Sequence, residues 1–451
     1  MKLAVVVQRY GAEINGGAEL HARYVAERLS RHVEVEVLTT CARDYITWRN
    51  ELEPGIDAVN GVPVRRFPVR RERDPDDFGR WSRRVFANRH SILDELKWMD
   101  SEGPRSPALV THLRRAAATY DFILYFSYRY YHAYHGVRAT RSQAVLVPTA
   151  ERDPALGLAI SARTFRGARA LMYNSHEERA LIHAVARNQH VPGVVVGVGS
   201  EIRGGASQAR FRARTGIDDP FVLYVGRIDE NKGCVELFDY FTRYAAEVSR
   251  RMRLVLVGTP VIEIPAHPRI RHLGFVTEEE KYDAIAAADT LVMPSYYESL
   301  SMVTLEAWAM RIPVLVNGRC DVLRGQVIRA NAGLYYESYE EFAEALRLIE
   351  TERGLRRALG ANGRRYFNRH YAWSVVEGKY LAMLEHLERA NRDGPRPRVE
   401  PEPGWLARRR RVQPPARDIV DRLPVGPAAK TWETGEFDTT GSAVSGAADT
   451  R

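Results

Sequence analysis

Short apolar, largely β-branched runs alternate with longer stretches of helical period along most of the chain. In the first half LAVVVQ (3 to 8), VEVEVLT (33 to 39), VPVRRFPV (62 to 69), DFILYFS (121 to 127), AVLVPTA (144 to 150) and ALMYNS (170 to 175) read as strands. In the second half FVLYVGR (221 to 227), RLVLVG (253 to 258), TLVMPS (290 to 295) and PVLVN (313 to 317) do the same. Strands that alternate with helices over this length predict an α/β protein built on parallel sheets. Between the halves lies the polar, glycine-paired stretch GVGSEIRGGASQARFRARTGIDD, which reads as a linker near residues 198 to 219. The expected architecture is two doubly wound, Rossmann-like domains, 1–198 and 199–372, facing one another across a cleft at the carboxyl ends of their strands. From 389 to 451 the pattern stops: 8 of the 23 prolines fall there, in RPRVEPEPG and QPPAR, before a Gly/Ser/Ala/Thr-rich end. This tail is expected to be disordered.

Composition narrows the class. The chain has 451 residues, 45% hydrophobic and 27% charged, as expected for a globular protein with large cores. It contains no apolar run of about 18 residues, and the one in MKLAVVVQRYG is too short for a signal peptide, so a cytoplasmic location is expected. Cys41, Cys234 and Cys320 are isolated and odd in number, which implies neither a disulfide framework nor a zinc site. The net charge of +9 is gathered in two places, Arg65 to Arg89 and Arg408 to Arg411. The first mixes arginines with Phe67, Phe78, Trp81 and Phe86, a composition suited to an anionic membrane surface or a polyanionic glycan, and more often found on a solvated helix face with buried aromatics. No nucleic-acid signature accompanies it, so nucleic acid is the least favoured partner.

Three loops carry the candidate chemistry. QRYGAEINGGAEL follows the first strand and opens a helix, and Gly16 and Gly17 let backbone approach a ligand while the helix start attracts an anion. Without three glycines or a lysine it also reads as a tight structural turn. In VGRIDENKG, Gly226, Arg227 and Lys232 place two cations at the end of a strand, where they suit a diphosphate or stand as surface charges. The third loop is YYESLSMVTLEAWAMRIPVLV, residues 296 to 316. Were residues 300 to 310 helical, Glu298 and Glu306 would lie on one side, roughly 12 Å apart. That is too far for a glycosidase pair at roughly 5 to 9.5 Å and long enough to hold both ends of an extended ligand. On this reading Arg227, Lys232 and the N–H groups of Ser301, Met302 and Val303 hold a diphosphate, Glu298 accepts from sugar hydroxyls, and Glu306 from a ribose.

Taken together, the GGAE turn, the VGRIDENKG loop and the Glu-x7-Glu element resemble glycosyltransferase family 4, the retaining nucleotide-sugar enzymes of GT-B fold, in order and spacing along about 385 residues. The resemblance implies roles for Gly16 and Gly17 near the donor phosphate, Arg227 and Lys232 on the diphosphate, Glu298 on the sugar and Glu306 on the ribose. It also implies that a final helix, about 373 to 388, returns to pack on the first domain. Ser301 stands where many relatives have glycine. The stretch FSYRYYHAYHG offers His132, preferred over His135, for contact with the transferred sugar, though it more readily reads as a packed Tyr/His-rich helix with one polar edge. Glu151 and Asp153 in ERDPAL are expected on the acceptor side.

The mechanism expected from these charges stabilises the departing diphosphate by cations and helix N-termini, with no cofactor and no metal required beyond the nucleotide-sugar co-substrate. The acceptor is expected to be a glycan or lipid-linked sugar in cell-surface polysaccharide assembly, reached by peripheral contact with anionic membrane. A GT-B epimerase, a glycan hydrolase or phosphorylase and a catalytically silent binding protein are the competing readings.

Overall fold

The structure is a computed structural model that describes residues 1–428 apart from 15, 201, 203–204 and 394–411. The Arg408 to Arg411 cluster lies outside the described residues.

The first sheet is built from β1 (Lys2–Val6), β2 (Glu34–Thr40), β3 (Gly55–Val59), β4 (Val62–Phe67), β5 (Phe122–Phe126), β6 (Ala144–Val147), β7 (Ala170–Tyr173) and β8 (Gly193–Val195). Their order is β3-β4-β2-β1-β5-β6-β7-β8, parallel except for the antiparallel edge pair β3–β4. The second sheet contains β9 (Phe221–Val225), β10 (Arg253–Val257), β11 (Ile270–His272), β12 (Thr290–Met293), β13 (Val314–Asn317) and β14 (Gly333–Tyr336), in the order β11-β10-β9-β12-β13-β14. The two doubly wound domains expected from the apolar pattern are therefore the architecture found.

Alternation along each strand assigns its side chains to two layers. Leu3, Val5 and Val7 pack on one face with Ala22, Val25 and Leu29 of the helix Gly17–Leu29, while Ala4 and Val6 pack on the other with Leu109, Leu113 and Tyr120. In the second sheet Phe221 and Leu223 join one core, and Val222 and Tyr224 the other. Both faces are covered by helices, which is why β5 and β6 read as unbroken apolar runs.

Chain order reverses between β1 and β5 in the first sheet and between β9 and β12 in the second. The loop after the inner strand and the loop after its neighbour diverge at such a point and leave a crevice beyond the carboxyl ends. The GG turn follows β1, VGRIDENKG follows β9 and YYESLS follows β12, so all three candidate loops issue at these reversals.

Three expectations about connections need correction. The stretch 198 to 219 is not all linker: it includes the helix Gln208–Thr215, N-capped by Ser207, whose buried Phe211 stacks on Phe221 at 5.1 Å. That helix carries four arginines or glutamines around one phenylalanine, so its apolar face is a single residue wide and gives little periodic signal. The final helix runs from Trp373 to Asp393, five residues beyond 388, and buries Trp373, Val376, Tyr380, Met383, Leu384 and Leu387 in the core of the first domain. Tyr380 lies 3.2 Å from His21, and Glu377 bonds Arg28 at 3.2 Å and His32 at 3.1 Å.

Third, disorder from 389 onward fails for residues 412–428, which are ordered. Gln413 exchanges backbone hydrogen bonds with His90 at 3.1 and 2.6 Å, and the short helix Ala416–Val420 buries Ala416 and Val420. A Cβ on Gly157 would lie 2.1 Å from the Ala416 carbonyl oxygen, so this glycine lets the segment seat against the turn at 154–157. From there the segment crosses to the second domain, where the Gly426 N–H donates to Asp321 at 2.7 Å. Proline-rich composition says the segment cannot build a core of its own; it does not exclude docking on a core already formed.

Candidate functional site

The VGRIDENKG loop turns back on itself through Asp229. Its carboxylate accepts the Lys232 backbone N–H at 2.8 Å and pairs with the Arg227 guanidinium. Gly226 (φ 155°) and Gly233 (φ 73°) allow the turn, and a Cβ on Gly233 would strike the Pro294 carbonyl at 2.1 Å, so the loop lies directly on the start of the neighbouring β12 loop. That contact brings Lys232 to Glu298, with Nζ to Oε1 at 2.7 Å. Burial alone would lower the Lys232 ammonium; the charges of Glu298 and Glu151 outweigh it and raise it instead. Arg227 reaches the other way, donating to the Tyr45 hydroxyl of the first domain at 3.2 Å.

Glu298 and Glu306 do not share a helix. The helix begins at Met302 and ends at Ala309, which leaves Glu298 in the preceding loop and free to reach Lys232. Glu306 is buried at 5% exposure and paired with Lys281 at 2.8 Å; burial raises its carboxyl, and Lys281 only partly opposes this. Lys281, unassigned by the sequence reading, sits in the helix Glu278–Ala287 and carries the balancing charge. Its signal in TEEEKYDAI is a lone cation after three acids, which cannot be told from an ordinary surface pair.

Ser301 is the N-cap of that short helix at φ 72° and ψ 90°, a region L-residues rarely occupy, with its hydroxyl 2.9 Å from Thr304. The difference from glycine noted in the sequence thus has a cost in backbone strain, of order 1–3 kcal/mol. Ser301→Gly relieves it and gives up one hydroxyl hydrogen bond of about 1 kcal/mol. The variant is expected to be more stable by about 1 kcal/mol in chemical denaturation, and a clear loss of stability would refute the strain.

At the GG turn, a Cβ on Gly16 would lie 2.3 Å from Glu19 Oε2 and 3.1 Å from Arg9 Nη2. Glu19 holds Arg9 through two hydrogen bonds, at 2.8 and 2.6 Å. Gly16 is therefore required by this buried pair, whereas among the described residues a Cβ on Gly17 would meet nothing within 4 Å. Arg9 also lies over the rings of Tyr45 and Trp48 at 5.5 and 5.9 Å, which links the turn to the Tyr45–Arg227 contact across the cleft.

His132 is fully buried; its Nε2 hydrogen-bonds the Phe126 carbonyl at 2.8 Å, its Nδ1 has no partner among the described residues, and burial lowers it to about 4. His135, packed against Tyr131 and Tyr134, is likewise lowered to about 4 by burial and by nearby arginines. Asp153 caps the 154–157 turn and pairs with Arg129 at 2.8 Å, and Arg129 also holds Glu102 at 2.7 Å. Glu151 is half-buried beside Lys232 and Glu298, its carboxyl raised to about 7 by burial and then by Glu298.

The Arg65 to Arg89 segment is less cationic than its sequence suggests. Arg65, Arg66, Arg71, Arg73, Arg80 and Arg84 pair with Glu36, Asp57, Asp77, Glu102, Asp77 and Asp94, respectively. Phe78, Trp81 and Phe86 pack inward around Trp98. The outer side of this segment borders a cleft of about 510 Å³ lined by Trp48, Arg73, Asp77, Trp81, Lys97 and Arg105.

Among the described residues no cluster of three or more His, Cys, Asp or Glu side chains is arranged to hold a metal ion, and no helix is long and apolar enough to cross a membrane.

Two parallel-sheet domains with the reversals of both sheets facing one cleft define the GT-B fold, and solved structures agree. Sucrose-phosphate synthase of Thermosynechococcus elongatus superposes with a TM-score of 0.64 at 18% identity, covering 86% of this chain and 99% of that one. Anabaena HepE in complex with UDP-glucose gives 0.62 at 16% identity over 86% and 100%. Residues 207–366 match the family model Glycosyl transferases group 1, so the second domain, with the VGRIDENKG and YYESLS loops, is a domain of that group. Curated relatives include the alpha-D-kanosaminyltransferase of Streptomyces kanamyceticus, 37% identical over 25% of this chain and 32% of its own length. The capsular polysaccharide biosynthesis glycosyltransferase CapM of Staphylococcus aureus is 24% identical over 38% and 49%, and the D-inositol 3-phosphate glycosyltransferase of Kineococcus radiotolerans 31% over 41% and 48%. The chain spans half or less of the length of these relatives.

Proposed function

We propose that this chain is a retaining glycosyltransferase of family 4 type, moving a sugar from a nucleoside diphosphate to a hydroxyl of a glycan or lipid-linked acceptor in surface-polysaccharide assembly. The observation that carries the reading is the Lys232–Glu298 pair at the reversal of the second sheet, with Arg227 beside it and Gly17 at the helix start in the first domain. A diphosphate competes with Glu298 for the Lys232 ammonium, and the released carboxylate is then free to accept from sugar hydroxyls. Glu306, paired with Lys281, accepts from the ribose in this reading.

Cleavage of the anomeric carbon–phosphate bond builds negative charge on the leaving diphosphate, which Arg227, Lys232 and the N–H groups at the start of the helix Met302–Ala309 stabilise. This chemistry calls on no metal and no further cofactor. Retention fits attack of the acceptor hydroxyl on the face from which the diphosphate departs. The similarity to CapM, a capsular polysaccharide biosynthesis glycosyltransferase, supports the surface-polysaccharide reading. Arg70, Arg83 and Arg89 are exposed with no carboxylate partner among the described residues, and are the side chains left to meet an anionic membrane. Co-sedimentation with liposomes with and without anionic lipid tests that contact; no binding to either removes it.

The donor reading is tested by thermal stabilisation and slow hydrolysis over a panel of UDP-, GDP-, ADP- and dTDP-sugars. One nucleotide-sugar is expected to stabilise the protein and be hydrolysed without acceptor. Stabilisation with no turnover, even with acceptors present, would favour a silent binding protein, and conversion to an epimer would favour the epimerase.

A further inference from the structure

We infer that Glu151 takes the proton from the acceptor hydroxyl as the sugar is transferred, an assignment that rests on the cleft being the transfer site proposed above. The loop that carries it, residues 148–153 after β6, is anchored on both sides. Thr149, at φ 49°, holds Ser127 hydroxyl to hydroxyl at 2.7 Å, and the Ala150 N–H donates to Glu178 at 2.5 Å. Arg152 donates to the Val420 and Leu423 carbonyls at 3.3 Å each and to Asp321 of the second domain at 3.2 Å. Asp153 is fixed by Arg129 and by the turn it caps.

Between these anchored neighbours, the Glu151 carboxylate has no hydrogen bond or ion pair among the described residues. A rigid loop presenting one unpartnered carboxylate is the arrangement expected of a group kept for a ligand. The charged groups around it come from every side of the cleft: Glu298 and Lys232 from the second domain, Asp153 from its own loop, Arg129 after β5, and Glu178 from the helix His176–Ala186. Burial and the Glu298 charge lift its carboxyl to about 7, so it is a base near neutral pH and an acid below it. A leaving diphosphate adds negative charge and pushes it higher still.

In the step assigned here, the acceptor oxygen bonds to the anomeric carbon while the bond from that carbon to the β-phosphate oxygen breaks. The bonding pair leaves with the diphosphate, and the hydroxyl proton passes to a Glu151 carboxylate oxygen and then to water. In hydrolysis, water takes the place of the acceptor and loses its proton to the same group.

The test measures donor hydrolysis between pH 5.5 and 9 for the wild type, Glu151→Gln and Glu151→Asp, with the nucleotide-sugar that the panel identifies, alongside melting temperature and nucleotide affinity. The wild-type rate should fall below a single ionisation at or above about pH 7. Glu151→Gln should lose at least tenfold in rate together with that ionisation, with melting temperature and nucleotide affinity unchanged, and Glu151→Asp should keep the ionisation at reduced rate. A Gln variant that keeps the wild-type rate, or that loses rate but keeps the ionisation, overturns the assignment while leaving the donor reading intact. A wild type that neither hydrolyses any member of the panel nor transfers its sugar when acceptors are present overturns both.

Discussion

Replacing Lys232 with alanine is expected to lower sugar transfer by at least about tenfold, equivalent to about 1.4 kcal/mol of transition-state stabilisation. The ammonium lies 2.7 Å from Glu298 in a half-buried site, and its charge is held there by Glu298 and Glu151 against the effect of burial. Removing it leaves those two carboxylates facing a departing diphosphate. Arg227, the nearest candidate to compensate, is engaged by Asp229. Because charge on the diphosphate grows as the bond breaks, the loss should fall mainly on kcat. Lys232→Arg keeps the charge and changes its shape, so partial recovery is expected. Glu298→Gln should cost a similar factor, and the double variant less than the product of the two, since each single change disrupts the same pair. Initial rates with the identified donor decide this, and near-native rates in both single variants would sink the site assignment.

The largest expected loss of stability comes from a pair outside the donor site. Glu177, at the start of the helix His176–Ala186, meets Arg329 of the second domain in a two-pronged ion pair with side-chain exposures of 4% and 5%. Glu177 also accepts the Ala428 N–H at 3.2 Å, which joins both domains and the C-terminal segment at one carboxylate. Burial opposes the Arg329 charge, but Glu177 more than reverses that and holds the guanidinium above its usual value. Glu177→Ala leaves this cation buried and unpaired, a change that typically costs about 3–5 kcal/mol. Replacing both partners by apolar residues, as in Glu177→Leu with Arg329→Met, removes the stranded charge and should cost much less. Denaturant midpoints of the two variants make the comparison. A loss below about 1 kcal/mol for Glu177→Ala would show that the pair is open to solvent, unlike the geometry seen here.

The readable part of this protein was the part that packs regularly. β1, β2, β5, β6, β7, β9, β10, β12 and β13 are buried parallel strands whose apolar runs stand out against their helices. The four strands not anticipated, β3, β8, β11 and β14, are short or lie at sheet edges, where exposed or half-exposed residues such as those of GIDAV or IRH carry no clear period. The three site loops were legible because glycines and cations after a strand end are unusual together. Their pairing was not: Lys232 with Glu298 spans 66 residues of sequence and Lys281 with Glu306 spans 25. The pairing of the basic run at Arg65 to Arg89 was hidden for the same reason, since Glu36, Glu102 and Asp94, which neutralise part of it, come from other elements.

By itself, then, the sequence determined the alternation of strand and helix, the two sheets and the glycine- and charge-bearing loops at the strand ends, because period and turn chemistry are local properties of the chain. The tertiary structure alone decided that Glu298 leaves the helix to meet Lys232, that a segment after residue 411 bridges both domains, and that Glu151 stands among charges from both domains with no hydrogen-bond partner among the described residues. Those outcomes depend on burial and on contacts between residues far apart in the chain, and such interactions exist only once the two sheets face each other.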